Sequence, residues 1–236
     1  MPIKITDTIK KLLIVYGVVF ILQQTGDRMG WHITSWLGLI PVEILSGKIW
    51  QVFTYSFLHA DVMHLVLNLM IFAFVGGEIE AMWGRRKFLA FYFFCTTLAG
   101  LVYLIIQLAL WNPAYLQMPL VDASGGMYGL LVAYAVIFSE RELLFMMMFP
   151  MKAKQFIMIL AGVEFLQALF SGQGGLGAFA HLSGMGAGLL FMWLQARGIQ
   201  MRKNGGGSKK KNQSHLRLVK TQRPEDDEED GPTTWH

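Results

Sequence analysis

Ser124 stands in the stretch Asp122-Ala123-Ser124-Gly125-Gly126, where a polar loop gives way to the apolar run Met127 to Phe138. A serine at the first turn of a helix has backbone N–H groups and the positive end of the helix dipole beside it, a good place to hold developing negative charge. Gly125 and Gly126 keep side chains away from the hydroxyl. The same residue types also have a purely structural use, since Ser and Asp are ordinary helix N-caps and Gly is ordinary in membrane helices. His181 supplies a second chemical group. Beside a serine, a neutral imidazole can take the hydroxyl proton as the oxygen attacks a carbonyl and then return it to a leaving amine. His64 and Asn68, four residues apart, share one helical face. Their N–H groups could bind the oxyanion of a tetrahedral intermediate, and losing one such donor typically costs ~10²- to 10³-fold in rate.

These residues need elements to carry them, and composition says which kind. Apolar residues make up 54% of 236 and charged residues 15%, a balance a water-exposed surface does not support. The charges gather in a few loops and in the tail, so the chain reads as all-α and polytopic, an integral membrane protein in contact with the lipid bilayer. The net charge of +4 is read as membrane orientation, with no nucleic-acid partner. Cys95, the single cysteine, excludes a disulfide framework and a cysteine metal cluster.

Six spans are expected: about Ile9 to Thr25, Val62 to Ala81, Phe88 to Leu110, Ser124 to Phe138, Phe156 to Phe170 and Ala178 to Ala196. The apolar core of the first, Leu12 to Leu22, has the length of a signal-peptide segment, but no small-x-small site follows it, so it is expected to stay as a helix. Gly26 to Phe57 reads as a long loop whose Trp31, Trp36 and Trp50 favour the membrane interface. Lys10-Lys11, Arg85-Arg86-Lys87, Arg141 with Lys152 and Lys154, and Arg197 to Lys203 alternate with cation-poor loops. The positive-inside rule then places both termini in the cytoplasm and Ser124 toward the outer face.

The fourth span is short. About fifteen residues at ~1.5 Å each give roughly 22 Å, against a hydrocarbon core of ~30 Å. If its inner end reaches the cytoplasmic interface, Ser124 lies at the bottom of a hollow open to the outside. Gly125, Gly129 and Ala133 recur every four residues, as do Ala180, Gly184 and Gly188. Such small-residue stripes let helix backbones approach closely. If the two stripes face each other, Ser124 and His181 are neighbours at one level. A histidine inside a membrane marks function by default, with a hydrogen-bonded structural histidine as the competing reading.

Other chemistries fit less well. His59, His64 and His181 could converge on a metal, but there is no H-E-x-x-H and the nearest carboxylate, Asp61, is in a loop. A membrane aspartyl protease needs paired intramembrane aspartates, which no span supplies. Glu164 and Gln167 in the fifth span could mark a transport pathway, though no internal hydropathy repeat accompanies them. Glu164 is expected to make a structural hydrogen bond between helices.

Taken in order, His59-x4-His64-x3-Asn68 after Trp50, Ala123-Ser124-Gly125 with Tyr128 one turn on, and Ala180-His181-x2-Gly184-x3-Gly188 resemble the motifs of the rhomboid intramembrane serine proteases. Gly76-Gly77-Glu78-Ile79-Glu80 ending at Gly84 resembles that family's turn between the second and third helices. The resemblance covers roughly residues 10 to 197 and implies a six-transmembrane-helix bundle. It implies Ser124 as nucleophile and His181 as general base, a dyad with no third acidic member. His64, Asn68 and the Ser124 N–H would line the oxyanion hole, with Gly125 beside it and Tyr128 packed near His181. Substrates would be single-pass membrane proteins cut in or near their transmembrane helix, with no metal or soluble cofactor. A rhomboid-like protein that binds membrane proteins without cutting them is the rival reading.

Two positions depart from the family pattern. Asp122 replaces the glycine usual two residues before the nucleophile. Its carboxylate is expected to be an N-cap for the fourth span, the alternative being a partner for His181 that crowds the substrate. Gln51 stands where many members carry arginine. After a membrane domain at 1-197, the tail 198-236 is Gly-rich, then basic, then acidic, and is expected to be cytoplasmic and disordered. The small size and lack of organelle-targeting features favour a bacterial inner membrane.

Overall fold

A computed structural model describes residues 5–110, 112–145, 149–171 and 175–205. The compact unit of interest is Met1–Gly198. Of the tail expected to be disordered at 198-236, residues 198–205 are instead helical, and those from 206 onward lie outside the described residues.

Helix α1 is Asp7–Arg28, started by Thr6, whose side chain accepts from the Ile9 N–H. The stretch read as a loop up to Phe57 is instead largely structured. It contains the short helices α2 Ile33–Leu37, α3 Pro41–Leu45 and α4 Gln51–Thr54, followed by a 3₁₀ turn at Tyr55–Phe57. Pro41 opens α3, where its fixed φ suits a first helical residue and its missing N–H is not needed. Gln51 anchors this region from inside. Fully buried, its amide accepts from the Ile40 N–H at 3.0 Å and donates to the Ser35 carbonyl at 2.9 Å. The lost charge of an arginine at this position is thus matched by an amide that both gives and receives hydrogen bonds. Trp36 and Trp50 stack at 6.1 Å with Lys48 over Trp36, and all three tryptophans of the segment are exposed.

Helix α5 spans Val62–Trp83 with a π-turn at Phe72–Gly76. Asp61 caps it, accepting from the His64 N–H at 2.9 Å. It stops at Gly84, whose φ of 78° suits a residue without Cβ. Helix α6, Arg85–Leu110, follows, then the short α7 Pro113–Leu116 and the central α8, Ser124–Ile137. A hairpin not foreseen from the sequence, β1 Glu142–Phe145 paired antiparallel with β2 Phe149–Lys152, joins α8 to α9, Ala153–Phe170. Helix α10 is Gly175–Gly205.

Helices α1, α5, α6, α9 and the Gly175–Gly198 part of α10 are long and apolar enough to cross a membrane. The sixth apolar helix, α8, has 14 residues, roughly 21 Å, and is correspondingly short for a ~30 Å core. It is also the most enclosed, with Ser124, Gly125, Met127, Leu130 and Ala133 all buried. Helix α9 is the opposite: only Ala153 and Glu164 are buried, and Met158, Phe165, Leu166 and Phe170 face outward. Such greasy faces are liabilities in water and natural in lipid, so the all-α bundle is an integral membrane protein.

The core beneath the site is aromatic and tightly tied. Tyr16 on α1 and Tyr92 on α6 share a hydrogen bond at 2.6 Å, and Phe72 packs edge-on to Tyr92 at 4.8 Å. On the opposite end of α8, Arg141 pairs with Glu78 and donates to the Tyr134 hydroxyl at 2.9 Å. This links the hairpin segment to the turn region of α5.

Candidate active site

The seam between α8 and α10 brings the two candidate catalytic helices together. A Cβ added to Gly184 would lie 2.8 Å from the Gly125 carbonyl carbon, and one added to Gly188 would lie 3.0 Å from the Gly129 oxygen. The small-residue stripes do face each other. With no side chain between the backbones, Ser124 at the head of α8 and His181 in the second turn of α10 stand at one level.

Between them lies Asp122. Its place is set by the preceding strand-like segment, where Leu39 and Leu120 exchange backbone hydrogen bonds at 3.0 and 2.9 Å. The Asp122 N–H itself donates to the Tyr55 carbonyl at 3.2 Å, and the Tyr55 hydroxyl donates to the Thr96 carbonyl at 2.7 Å. The start of α8 is therefore held by the α4–α5 connection and by α6.

The Asp122 carboxylate is a hub. On one oxygen, Oδ1, three donors converge: the Ser124 backbone N–H at 2.6 Å, His64 Nε2 at 3.0 Å and Asn68 Nδ2 at 3.3 Å. The other oxygen, Oδ2, accepts from the Ser124 hydroxyl and meets His181 Nε2 at 3.2 Å. Ser124 and His181 thus meet on a shared carboxylate oxygen, with no direct hydrogen bond between them among the described residues. The N-cap expectation for Asp122 is corrected in part: the cap position is Ala123, and the carboxylate satisfies one helix-start N–H while also holding four site side chains. Burial opposes its charge, but the hydrogen bonds from His181 and His64 outweigh it and hold the carboxyl below the usual range.

His181 is held on its other side as well. Nδ1 lies 2.9 Å from Glu164 Oε2, and the ring stacks on Tyr128 with centroids 4.3 Å apart and planes 8° from parallel. The Tyr128 hydroxyl donates to the second Glu164 oxygen. Glu164 does bond between helices, as expected, but its partners are the candidate base and the tyrosine beneath it. Two carboxylates, Asp122 and Glu164, thus flank the imidazole. Gly125 sits with its backbone against Gly184.

His59 takes no hydrogen bond through its ring among the described residues. It is fully buried, edge-on to Tyr16 and His64, and burial pushes its imidazole down to about 4. No group of three or more metal-ligating side chains occurs among the described residues.

Beside Asp122 a cavity of about 260 Å³ opens, lined by Tyr103, Met118, Leu120, Val121 and Leu176. An apolar hollow next to a serine hydroxyl, an imidazole and converging N–H donors is an arrangement suited to acyl transfer. Fold and site together define a helical integral membrane protein with a buried serine–histidine–carboxylate cluster near one end of its bundle.

A family profile described as "Rhomboid domain" matches residues 46–198, and the chain belongs to the rhomboid family. It is 28% identical over 160 residues to the rhomboid protease GlpG of Haemophilus influenzae, covering 67% of this chain and 74% of that protein. It is 25% identical over 96 residues to rhomboid-type serine protease 2 of Neurospora crassa, covering 40% of this chain and 35% of that one. It is 23% identical over 178 residues to rhomboid protein 1, mitochondrial, of Saccharomyces cerevisiae, covering 73% and 49%. The chain thus spans under two thirds of the Neurospora and yeast proteins. The Neurospora relative is named a serine protease and the Haemophilus one a protease.

Proposed function

We propose that this protein is an intramembrane serine endopeptidase that hydrolyses peptide bonds in or near the transmembrane segments of other membrane proteins. The observation that carries the reading is the convergence at Asp122. Nucleophile and base meet on one of its oxygens, while three N–H donors meet on the other.

In the reaction the Asp122 side chain turns out of the site, a substrate segment unwinds at the rim, since an intact helix hides its carbonyls, and its scissile carbonyl enters where Oδ1 had stood. Ser124 Oγ attacks the carbonyl carbon as His181 Nε2 accepts the hydroxyl proton. The oxyanion lies among His64, Asn68 and the Ser124 N–H. The C–N bond breaks as His181 returns the proton to the amine, leaving an acyl-serine. Water, losing a proton to His181, then attacks the acyl carbon, and the Ser124 oxygen leaves as His181 returns that proton to it, releasing the carboxylic acid product. Proton and acyl transfer are the only steps, so no metal or soluble cofactor enters. The apolar cavity beside Asp122 would receive a small or apolar side chain next to the cleaved bond. The protein would sit in a bacterial inner membrane with both termini cytoplasmic and the site toward the outer face.

The test is labelling of the purified, membrane-reconstituted chain by a fluorophosphonate probe, paired with cleavage of a single-pass model substrate carrying a helix-breaking residue. Labelling and cleavage are expected in wild type and lost in Ser124→Ala and His181→Ala. A second reading, a membrane-protein binder without proteolysis, is favoured by one observation, the Asp122 carboxylate in the oxyanion position. Folded wild type that neither labels nor cleaves from pH 5 to 9 would establish it.

A further inference from the structure

We propose that Glu164 is the positioning residue for the base, making the site a Ser124–His181–Glu164 triad; this rests on reading Ser124 as nucleophile and His181 as base. Three contacts carry it. Glu164 Oε2 stands 2.9 Å from His181 Nδ1, the ring nitrogen turned away from Ser124. A carboxylate there accepts the Nδ1 proton, which fixes the imidazole so that Nε2 is the atom facing the nucleophile. The other Glu164 oxygen is occupied by the Tyr128 hydroxyl, so the carboxylate cannot rotate freely. Tyr128 also lies flat under the imidazole at 4.3 Å, closing the remaining degree of freedom of the ring.

The placement within the helix points the same way. On α9 Glu164 is flanked by Gly162, Val163, Phe165 and Leu166, and Phe165 and Leu166 are 55% exposed, whereas Glu164 is 4% exposed. A carboxylate buried in a membrane bundle is expensive and is retained where it has a specific partner. Both oxygens here are spent on the base and on the residue that stacks with it. During attack, Nε2 gains the Ser124 proton while Nδ1 keeps its own, and the Glu164 charge offsets the imidazolium that forms. No proton passes to Glu164. Asp122, on the opposite ring nitrogen, cannot do this job, because it occupies the space through which Nε2 must reach Oγ.

A plain structural tie between α9 and its neighbours would use the same contacts, so the test must separate the two. The full chain in lipid nanodiscs is labelled with a fluorophosphonate over a range of concentrations, giving kinact and KI for wild type, Glu164→Gln and Glu164→Asp, with thermal unfolding measured for each. A triad predicts kinact reduced at least ~10-fold in Glu164→Gln, a part of the ~10²- to 10⁴-fold that a general base supplies. KI should be unchanged, and part of kinact recovered in Glu164→Asp. Wild-type kinact in Glu164→Gln, with His181→Ala inactive, would overturn this inference and leave the protease reading standing. A change in KI alone would also overturn it, in favour of the tie. Absence of labelling in wild type would remove both. If Glu164→Gln does not fold, the wild type decides: a far-downfield His181 Nδ1 proton by NMR is expected, and an unshifted one overturns the triad.

Discussion

Asp122 has the family's usual glycine position but none of a glycine's neutrality. Its carboxylate fills the place where an oxyanion would develop, and like charge there opposes the transition state that His64, Asn68 and the Ser124 N–H would stabilise. Removing it should free three donors at once. Asp122→Gly is expected to raise the rate of fluorophosphonate labelling roughly tenfold, a fraction of what one such donor can supply; a fall in rate would show instead that the carboxylate assists the base. The pH dependence follows from the sign of the perturbation. Because hydrogen bonds hold the Asp122 carboxyl below its usual range, it stays ionised at and above ordinary carboxylate pH values. Mild acid should therefore not activate the wild type by neutralising this group, which labelling followed down to pH 5 checks. The identity of Asp122 as a departure was visible in the sequence. That it binds four other site groups was not, because His64, Asn68 and His181 come from helices far apart in the chain.

At the scale of elements the site depends on the α8–α10 seam. The four-residue recurrence of small residues was legible on both helices, and the backbones meet along it at Gly125 and Gly184. A methyl group at Gly184 has nowhere to go, since the atoms opposing it are backbone. Gly184→Ala should separate the helices or strain them, at about 1–3 kcal/mol for an overpacked contact, and it should also separate Ser124 from His181. Thermal unfolding in detergent should therefore shift down while labelling falls by more than stability accounts for; wild-type values for both would show that the seam yields. Gly186, two residues on, meets open space and Gly186→Ala serves as the control. Less of the rest was legible. The segment after α1 has no sustained helical period, so its three short helices and the inward-turned Gln51 appear only once Ile40 and Ser35 are brought around it. The β1–β2 hairpin was likewise hidden, its strands being four residues each, too short for alternation to register.

For the whole molecule, the question is which way the bundle sits in the membrane. Lysine and arginine cluster on alternate connections, beside α1, at the start of α6, around the hairpin and after α10, and such asymmetry orients helical membrane proteins. Reporter fusions at the N-terminus and after residue 198 should both be active on the cytoplasmic side, with a reporter inserted at 117 active on the outer side. Any other pattern would put Ser124 on the cytoplasmic face and reverse the route by which water and substrate reach it. The Arg141–Glu78 pair and the Tyr134 hydroxyl then belong to the cytoplasmic end, which keeps the polar ties of the bundle at the two ends of α8 and leaves its middle apolar.

The sequence by itself determined the class of the molecule. Apolar spans, charge placement and three spaced motifs are local or periodic properties, and they survive without knowledge of which helix touches which. It also determined which residues could act, since only a few polar side chains interrupt the spans. The tertiary structure decided how those residues are partnered. Glu164 reads as an interhelical polar residue until α9 is packed against α10, and Asp122 reads as a cap until α5 brings His64 and Asn68 to it. Partnership between side chains distant in sequence depends on helix rotation and depth, to within an ångström or two, and those are fixed by the packing of the bundle as a whole.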